Sequence, residues 1–397
     1  EQESQNALPE MHQIADAPTG IELESGRIKL GHRRKFHVLC RLNESSPEVA
    51  VVLIAGENVH SFVKNTKTWQ IMLSVSAFVL LATAGFGAWA QYSRDIRKVA
   101  ASYGFAPPFM SGRTVVLSSS YTRMIFEEEA RKMTFNGVMI WMNGGLAKAG
   151  NSWMLTDQDL RYVVHPLLRP DSAVAKEGSR VVVLDPGHGG KDQGTMGRRG
   201  TLEKKVILDV AKRVAKKLQD SQIIVRLTRS TDTFITLDER CQKAGQWGAS
   251  VFVSIHANSA ADPLVSGLES FVIASPGCAG TNTRRIDPRA YTGNKHDQAN
   301  MLLSYYVQKG LLSCTGGEDR GVKRSRFEVL RDTDCPAVLV ECGFLSNVRE
   351  ESKLNDPRYR DAVANGIARG ILTYLSRVRS AKADLDRIVT QAKVDDR

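Results

Sequence analysis

His188, Glu203, His256 and Glu341 are the residues whose types and settings are best suited to chemistry. His188 stands in DPGHGG (185–190), directly after the apolar run VVVLD, so a glycine-rich turn presents an imidazole where a strand gives way to a loop. No GxxxxGK[ST] or GxGxxG accompanies it, which argues against a phosphate cradle. Glu203 opens a helical pattern and His256 ends SVFVSIH, so a loop, a helix start and a strand end can converge on one point. Two histidines and a carboxylate are a ligand set of catalytic zinc, with a fourth position left for water. Taken singly, each has a plainer reading: Glu203 suits any helix N-terminus, and His256 could be a satisfied core histidine. Glu341 ends AVLVE. A carboxylate leaving a buried strand needs a partner or a function, because uncompensated burial of charge is costly. Facing the water of a metal, it would be a general base. Cys342 is the competing donor there, and strand alternation turns it to the other face.

Such a site requires strand ends lying side by side. From Arg180 onward, VVVLD (181–185), QIIVRLT (222–228), SVFVSIH (250–256), LESFVIA (268–274), FEVLR (327–331) and AVLVE (337–341) read as strands. Helical patterns fall at 202–218, 237–247, 297–312 and 358–375. The alternation predicts an α/β catalytic domain over 178–378, a mostly parallel sheet with helices on both faces and ligands at the carboxyl edge of the strands. Residues 379–397 read as a C-terminal tail.

Upstream, residues 112–170 alternate short apolar stretches around a turn at Asn143-Gly144-Gly145, and read as a small β-rich accessory domain. It closes in a short helix opened by Thr156 and ended before Pro166. The pattern loosely resembles the β-rich modules at the N-terminus of copper amine oxidases, which gives no ligand. Tyr121, Trp141 and Trp153 could stack on sugars, but aromatics on strands are more often core. Residues 69–91 read as a transmembrane or signal segment: IMLSVSAFVLLATAGFGAWA (71–90) is uncharged and long enough to cross about 30 Å of hydrocarbon. Ala88-Trp89-Ala90 has the form of a signal-peptidase site, so an anchor and a cleaved signal both fit. Residues 1–68 form a tail or small domain of unknown role, with one short strand expected in VAVVLIAG.

The 397 residues leave room for an enzyme core beside other domains. Fifty-four Lys and Arg against 43 Asp and Glu give a net charge of +11, which favours anionic polymers or headgroups. The basic residues are scattered without aromatic interleaving, so no nucleic-acid partner is expected. The six cysteines, Cys40, Cys241, Cys278, Cys314, Cys335 and Cys342, show no CxxC spacing. Buried thiols are expected, with a Cys278–Cys314 disulfide as the alternative if the domain is exported.

DPGHGGKDQG with Glu203-Lys204, then SIHAN (254–258), RGVKRSRFEVLR (320–331) and PAVLVECGFLSN (336–347) occur in that order. Over about 180–376 the chain resembles the zinc-dependent N-acetylmuramoyl-L-alanine amidases of bacterial cell separation and wall turnover. The resemblance implies one Zn2+ per catalytic domain, held by His188, Glu203 and His256, with Glu341 as the catalytic acid and base. It implies peptidoglycan as substrate, cut at the amide joining N-acetylmuramic acid to L-alanine. Gln193 and Ala244-Gly245 depart from the usual pattern, which bears on substrate contacts and not on the metal. The expected location is the cell envelope, inner-membrane anchored with the catalytic domain in the periplasm, or exported after cleavage near Ala90. A protein activator is a further candidate partner. Asn258 and Arg320 are candidates for substrate contact or for structure, and the polar stretch 275–298 for a lid over the site. The rivals are a zinc peptidase acting within the stem peptide and a non-catalytic wall-binding membrane protein.

Overall fold

The computed structural model describes residues 26–29, 35–41, 50–54, 92–173, 180–221, 223–283 and 285–395. The chain divides into two compact units, residues 1–85 and 86–397. In the first, Gly26–Lys29, Lys35–Arg41 and Ala50–Ile54 form an antiparallel sheet, the last strand being the one expected in VAVVLIAG. The apolar segment 71–90 lies outside the described residues. Among the described residues no helix is long and apolar enough to cross a membrane.

The second unit is organised on one 11-stranded sheet. Its strands are β1 (Phe109–Ser111), β2 (Thr114–Ser118), β3 (Arg123–Glu127), β4 (Lys132–Phe135), β5 (Val138–Trp141), β6 (Val181–Pro186), β7 (Ile224–Leu227), β8 (Val251–Asn258), β9 (Leu268–Ile273), β10 (Asp319–Ser325) and β11 (Ala337–Phe344). They lie in the order β7-β6-β8-β11-β9-β10-β5-β4-β3-β2-β1. The pairings β7/β6, β6/β8 and β8/β11 are parallel, as expected, but β9 runs antiparallel to β11. The short return loop between β8 and β9 decides this, since a parallel neighbour needs a crossover of a dozen or more residues.

The region expected as a separate β-rich domain is indeed made of strands, but they continue the main sheet. Val322 of β10 lies parallel to Ile140 of β5, Met139 N donates to Asp319 Oδ2 at 2.7 Å, and Trp141 Nε1 donates to the Arg320 carbonyl at 3.1 Å. Trp153 is buried, as expected for a core aromatic, while Tyr121 is exposed. The Thr156 hydroxyl caps its helix by accepting from Asp159 N, but the helix does not stop before Pro166. A π turn over Leu160–Val164 shifts the hydrogen-bond ladder, and a last turn, His165–Leu168, absorbs the proline near its start, where the missing N–H costs least.

Helices cover both faces of the sheet. On one lie α1 (Glu203–Leu218), α3 (Asp297–Thr315) and α5 (Pro357–Asp395), packed on Val182, Leu184, Val253, Ile255, Val338 and Val340. On the other lies α2 (Leu237–Gln246), packed with the single turn Glu328–Arg331 on Val183, Phe252, Phe271 and Leu339. The alternation of neighbouring strand residues between these two cores follows the strand period of two. α3 and α5 cross closely enough that a methyl group on Gly366 would lie 2.7 Å from Leu311 Cα. A short helix, α4 (Val348–Asn355), precedes α5.

Several sequence expectations are corrected. FEVLR is not a strand: β10 ends at Ser325, and Glu328–Arg331 is helical. The residues expected as a C-terminal tail are helical as far as Asp395, continuing α5. Cys278 and Cys314 are both free: Cys278 is buried in a two-residue strand, Cys278–Ala279, and Cys314 lies near the end of α3. The stretch 275–298 does not overlie the strand ends. It leaves β9 after Ile273, and since Glu269 pairs with Glu341 while Phe271 pairs with Leu339, it emerges at the opposite edge of the sheet. There it lines a cleft of about 500 Å³ with Arg326 and Phe327.

Candidate metal centre

Strand alternation explains how apolar strands deliver polar groups to one place. In β11, Val338, Val340 and Cys342 face the α3 core, so Leu339 and Glu341 face the other way. In β8, Val253, Ile255 and Ala257 face the α3 core, which turns His256 to the face of Phe252. His256 pairs with Glu341, and Glu341 pairs with Glu269, so these residues form one row across β8, β11 and β9. Cys342 is fully buried on the far side, as expected.

The loop after β6 brings His188 to this row. His188 has φ +58°, the left-handed region that a non-glycine residue occupies only when its surroundings hold it there. Two buried arginines supply that hold. Arg240 donates to the carbonyls of Pro186 and His188 at 2.8 Å each, and Arg229 to those of Pro186, Gly187 and Lys204 at 3.0, 2.7 and 3.0 Å. Asp185 fixes Arg240 at 2.6 Å while accepting from Thr228 and Ser254. Glycine is required twice by close approach: a methyl group on Gly187 would lie 2.1 Å from the His256 ring, and one on Gly194 would lie 2.6 Å from both Glu203 and His188.

Glu203 is the first residue of α1 and is almost fully buried. Its Oε2 accepts from Thr195 N at 2.8 Å, and its Oε1 from Ala257 N at 3.1 Å. That same Oε1 lies 3.1 Å from His188 Nε2 and 3.0 Å from His256 Nδ1. The ligand atoms of His188, Glu203 and His256 all lie within 4.8 Å of one another, and the two rings meet edge to face at 5.0 Å. Three protein donors converging on one point, one of them anionic, fit a catalytic zinc site with a position left open. Burial works to raise the Glu203 pKa, but hydrogen bonds and charge from both histidines outweigh it and hold the carboxyl well below its usual range. For His188, burial lowers the pKa, but Glu203 and Asp192 outweigh it and raise the imidazole above 6.5. Glu341 differs in kind: it is buried, its Oε2 is without a hydrogen-bond partner among the described residues, and burial with the nearby Glu203 and Glu269 charges pushes its pKa well up.

The family model for N-acetylmuramoyl-L-alanine amidases matches residues 182–373. The amidase AmiA of Escherichia coli K12 is 34% identical over 230 residues, covering 52% of this chain and 80% of that protein. The chain belongs to this amidase family. LytC of Bacillus subtilis 168 is 37% identical over 193 residues, which is 49% of this chain and 35% of the relative. Among solved structures, the catalytic domain of the amidase CwlV from Bacillus (Paenibacillus) polymyxa var. colistinus is 37% identical, with a TM-score of 0.42, covering 49% of this chain and 98% of that one.

His188, Glu203, His256 and Glu341, the four residues singled out in the sequence, stand together at one sheet edge. Sequence reasoning missed the groups that hold the His188 loop: Asp185, Arg229, Arg240 and Asp192. Asp192 stands four residues after His188, and its Oδ2 lies 2.9 Å from His188 Nδ1, which leaves Nε2 for a metal. Its presence in HGGKD was a legible signal, since ligating histidines usually have a carboxylate on the other ring nitrogen. Asp192→Asn should weaken zinc affinity about tenfold or more without unfolding the domain. Competition against a chelator measures this, and an unchanged affinity would remove Asp192 from the site. Asn258 does not face open space: its Nδ2 donates to Glu269 Oε2 at 3.2 Å.

Proposed function

We propose that this amidase hydrolyses the amide between N-acetylmuramic acid and the L-alanine of the stem peptide, with zinc held by His188, Glu203 and His256 and with Glu341 as general base and then general acid. The observation that carries the assignment of roles is the pairing of His256 with Glu341, whose Oε2 has no hydrogen-bond partner among the described residues, beside the convergent ligand trio. Zinc, when bound, supplies Lewis acidity that acidifies water and polarises the scissile carbonyl.

Every other part falls to the protein. Glu203 holds both imidazoles through one oxygen while its second oxygen is fixed by Thr195 N, so the trio is prepared before substrate arrives. Glu341 accepts the proton of the attacking water at its free oxygen. Its high proton affinity, set by burial, suits it to keep that proton until the amine departs. Proton return is necessary because an amine leaves poorly as an anion. Location in the cell envelope, by an anchor or after export, is part of the same proposal and rests on the length and lack of charge of 71–90.

Digestion of purified wall fragments with zinc-loaded protein, followed by mass analysis, tests the reading. Free glycan strands and intact peptides beginning with L-alanine are expected. Shortened stems still attached to muramic acid would instead establish the peptidase, and binding without any cleavage the non-catalytic reading.

A further inference from the structure

Glu269 is almost fully buried, yet two cations converge on one of its oxygens. Lys323 Nζ lies 2.5 Å and Arg320 Nε 2.6 Å from Oε1, while Asn258 Nδ2 reaches Oε2. Two cations on one carboxylate leave a unit of positive charge beside the catalytic row. Glu350, also close by, accepts from Gly267 N and Phe344 N. Glu318 lies at the rim and accepts from the Ser266 hydroxyl.

The surplus is presented outward through one side chain. Lys323 is 7% exposed and Arg320 29% exposed, so only the guanidinium can meet a ligand. Arg320 is held as a receptor would be: Nε on Glu269, Nη1 on the Ser266 carbonyl at 3.3 Å, and the group stacked 5.2 Å from the centre of the Phe344 ring. Among the described residues its Nη2 has no hydrogen-bond partner. The backbone is built to aim it. Leu268 pairs with Asp319 and Ser270 with Val322, so Arg320 and Gly321 together stand opposite Glu269 in a bulge, the device that re-aims a side chain next to a site. Gly321 has φ +88°, and a methyl there would lie 2.9 Å from the Met139 carbonyl of β5, so the bulge is also clamped from the neighbouring strand.

We propose that Arg320 is a specificity-determining residue that binds the first free carboxylate of the stem peptide beyond the scissile amide, the one on its second residue. The assignment rests on the amidase reading above. Arg320 stands two strands from Glu341, about 10 Å, a distance that an extended peptide covers in roughly three residues and that the arginine side chain shortens. A fork of N–H donors already fixed at two points loses little freedom when it meets a carboxylate.

The test uses the full zinc-loaded chain and two muramoyl tripeptides that differ only in whether the second residue carries a free carboxylate or its amide. The wild type should prefer the free acid by about tenfold or more in kcat/KM, chiefly through KM. Arg320→Ala should bring the two substrates to near equality, and Arg320→Lys should restore part of the preference. A merely structural role would lower activity on both substrates alike and keep their ratio. A wild-type ratio near one, or an Arg320→Ala variant that keeps the preference, would overturn the assignment. The wild-type ratio needs no variant, so poor folding of Arg320→Ala does not remove the test. Cleavage of neither substrate by the wild type would overturn the amidase reading and this assignment with it.

Discussion

Glu341→Gln is expected to reduce muropeptide hydrolysis by about a thousandfold while leaving zinc content unchanged and making the metal-free protein more stable at neutral pH. The three outcomes share one cause. Glu341 is 8% exposed, its Oε2 has no partner among the described residues, and Glu203 and Glu269 add negative charge nearby. Gln keeps the volume and removes both the proton-accepting oxygen and the buried charge. The sign follows from the raised acid. Below its usual value of 4.5 the carboxyl is neutral whether folded or not, so Gln gains nothing there; above 4.5 the wild type is penalised increasingly and the variant is not. The gain should reach about 1 kcal/mol or more at pH 7, measured by denaturant unfolding after chelation. Full activity in the variant would eliminate the base, and loss of zinc would make Glu341 a ligand instead.

Glu203→Ala should do the most combined damage, removing zinc, activity and about 3 kcal/mol of stability from the metal-free protein. Two backbone amides, of Thr195 and Ala257, would lose their acceptor, and both imidazoles would lose the carboxylate they share. His188→Ala should also lose zinc but cost the fold little, because that side chain is 24% exposed on a loop that the arginines hold by backbone carbonyls. Unfolding of the chelated variants separates the two, and undiminished stability in the Glu203→Ala variant would contradict the packing described. The depressed Glu203 pKa contributes stability above 4.5 that is lost as pH falls through its folded value. The raised His188 pKa contributes stability below 6.5 that is lost as pH rises through its folded value. The trio therefore favours the metal-free fold most between those pH values. Zinc must displace the His188 proton, so its affinity should rise about tenfold or more from pH 5.5 to 7.5, with proton release detectable by calorimetry in different buffers.

The sequence by itself picked out His188, Glu203, His256 and Glu341 as candidates, because each ends, follows or opens an element whose periodicity is plain: VVVLD before the DPGHGG turn, SVFVSIH ending in His256, AVLVE ending in Glu341. Alternation even predicted that Cys342 would turn away from Glu341, because the two-residue strand period puts adjacent side chains on opposite faces. The tertiary structure decided what depends on pairing between distant segments. The reversal of β9, the displacement of 275–298 to the far edge and the merging of β5 with β10 all follow from strand neighbours that no local pattern specifies. FEVLR has the apolar content of a strand, but in the fold it is one helical turn packed beside α2, so tertiary packing overrode its propensity. The supporting shell stayed hidden for the same reason. Asp185 reaches Arg240 across 55 residues and Glu269 reaches Lys323 across 54, and a buried ion pair leaves no periodic trace in sequence. Residue types and spacing name the groups that react, whereas only the folded sheet brings together the groups that hold them in place.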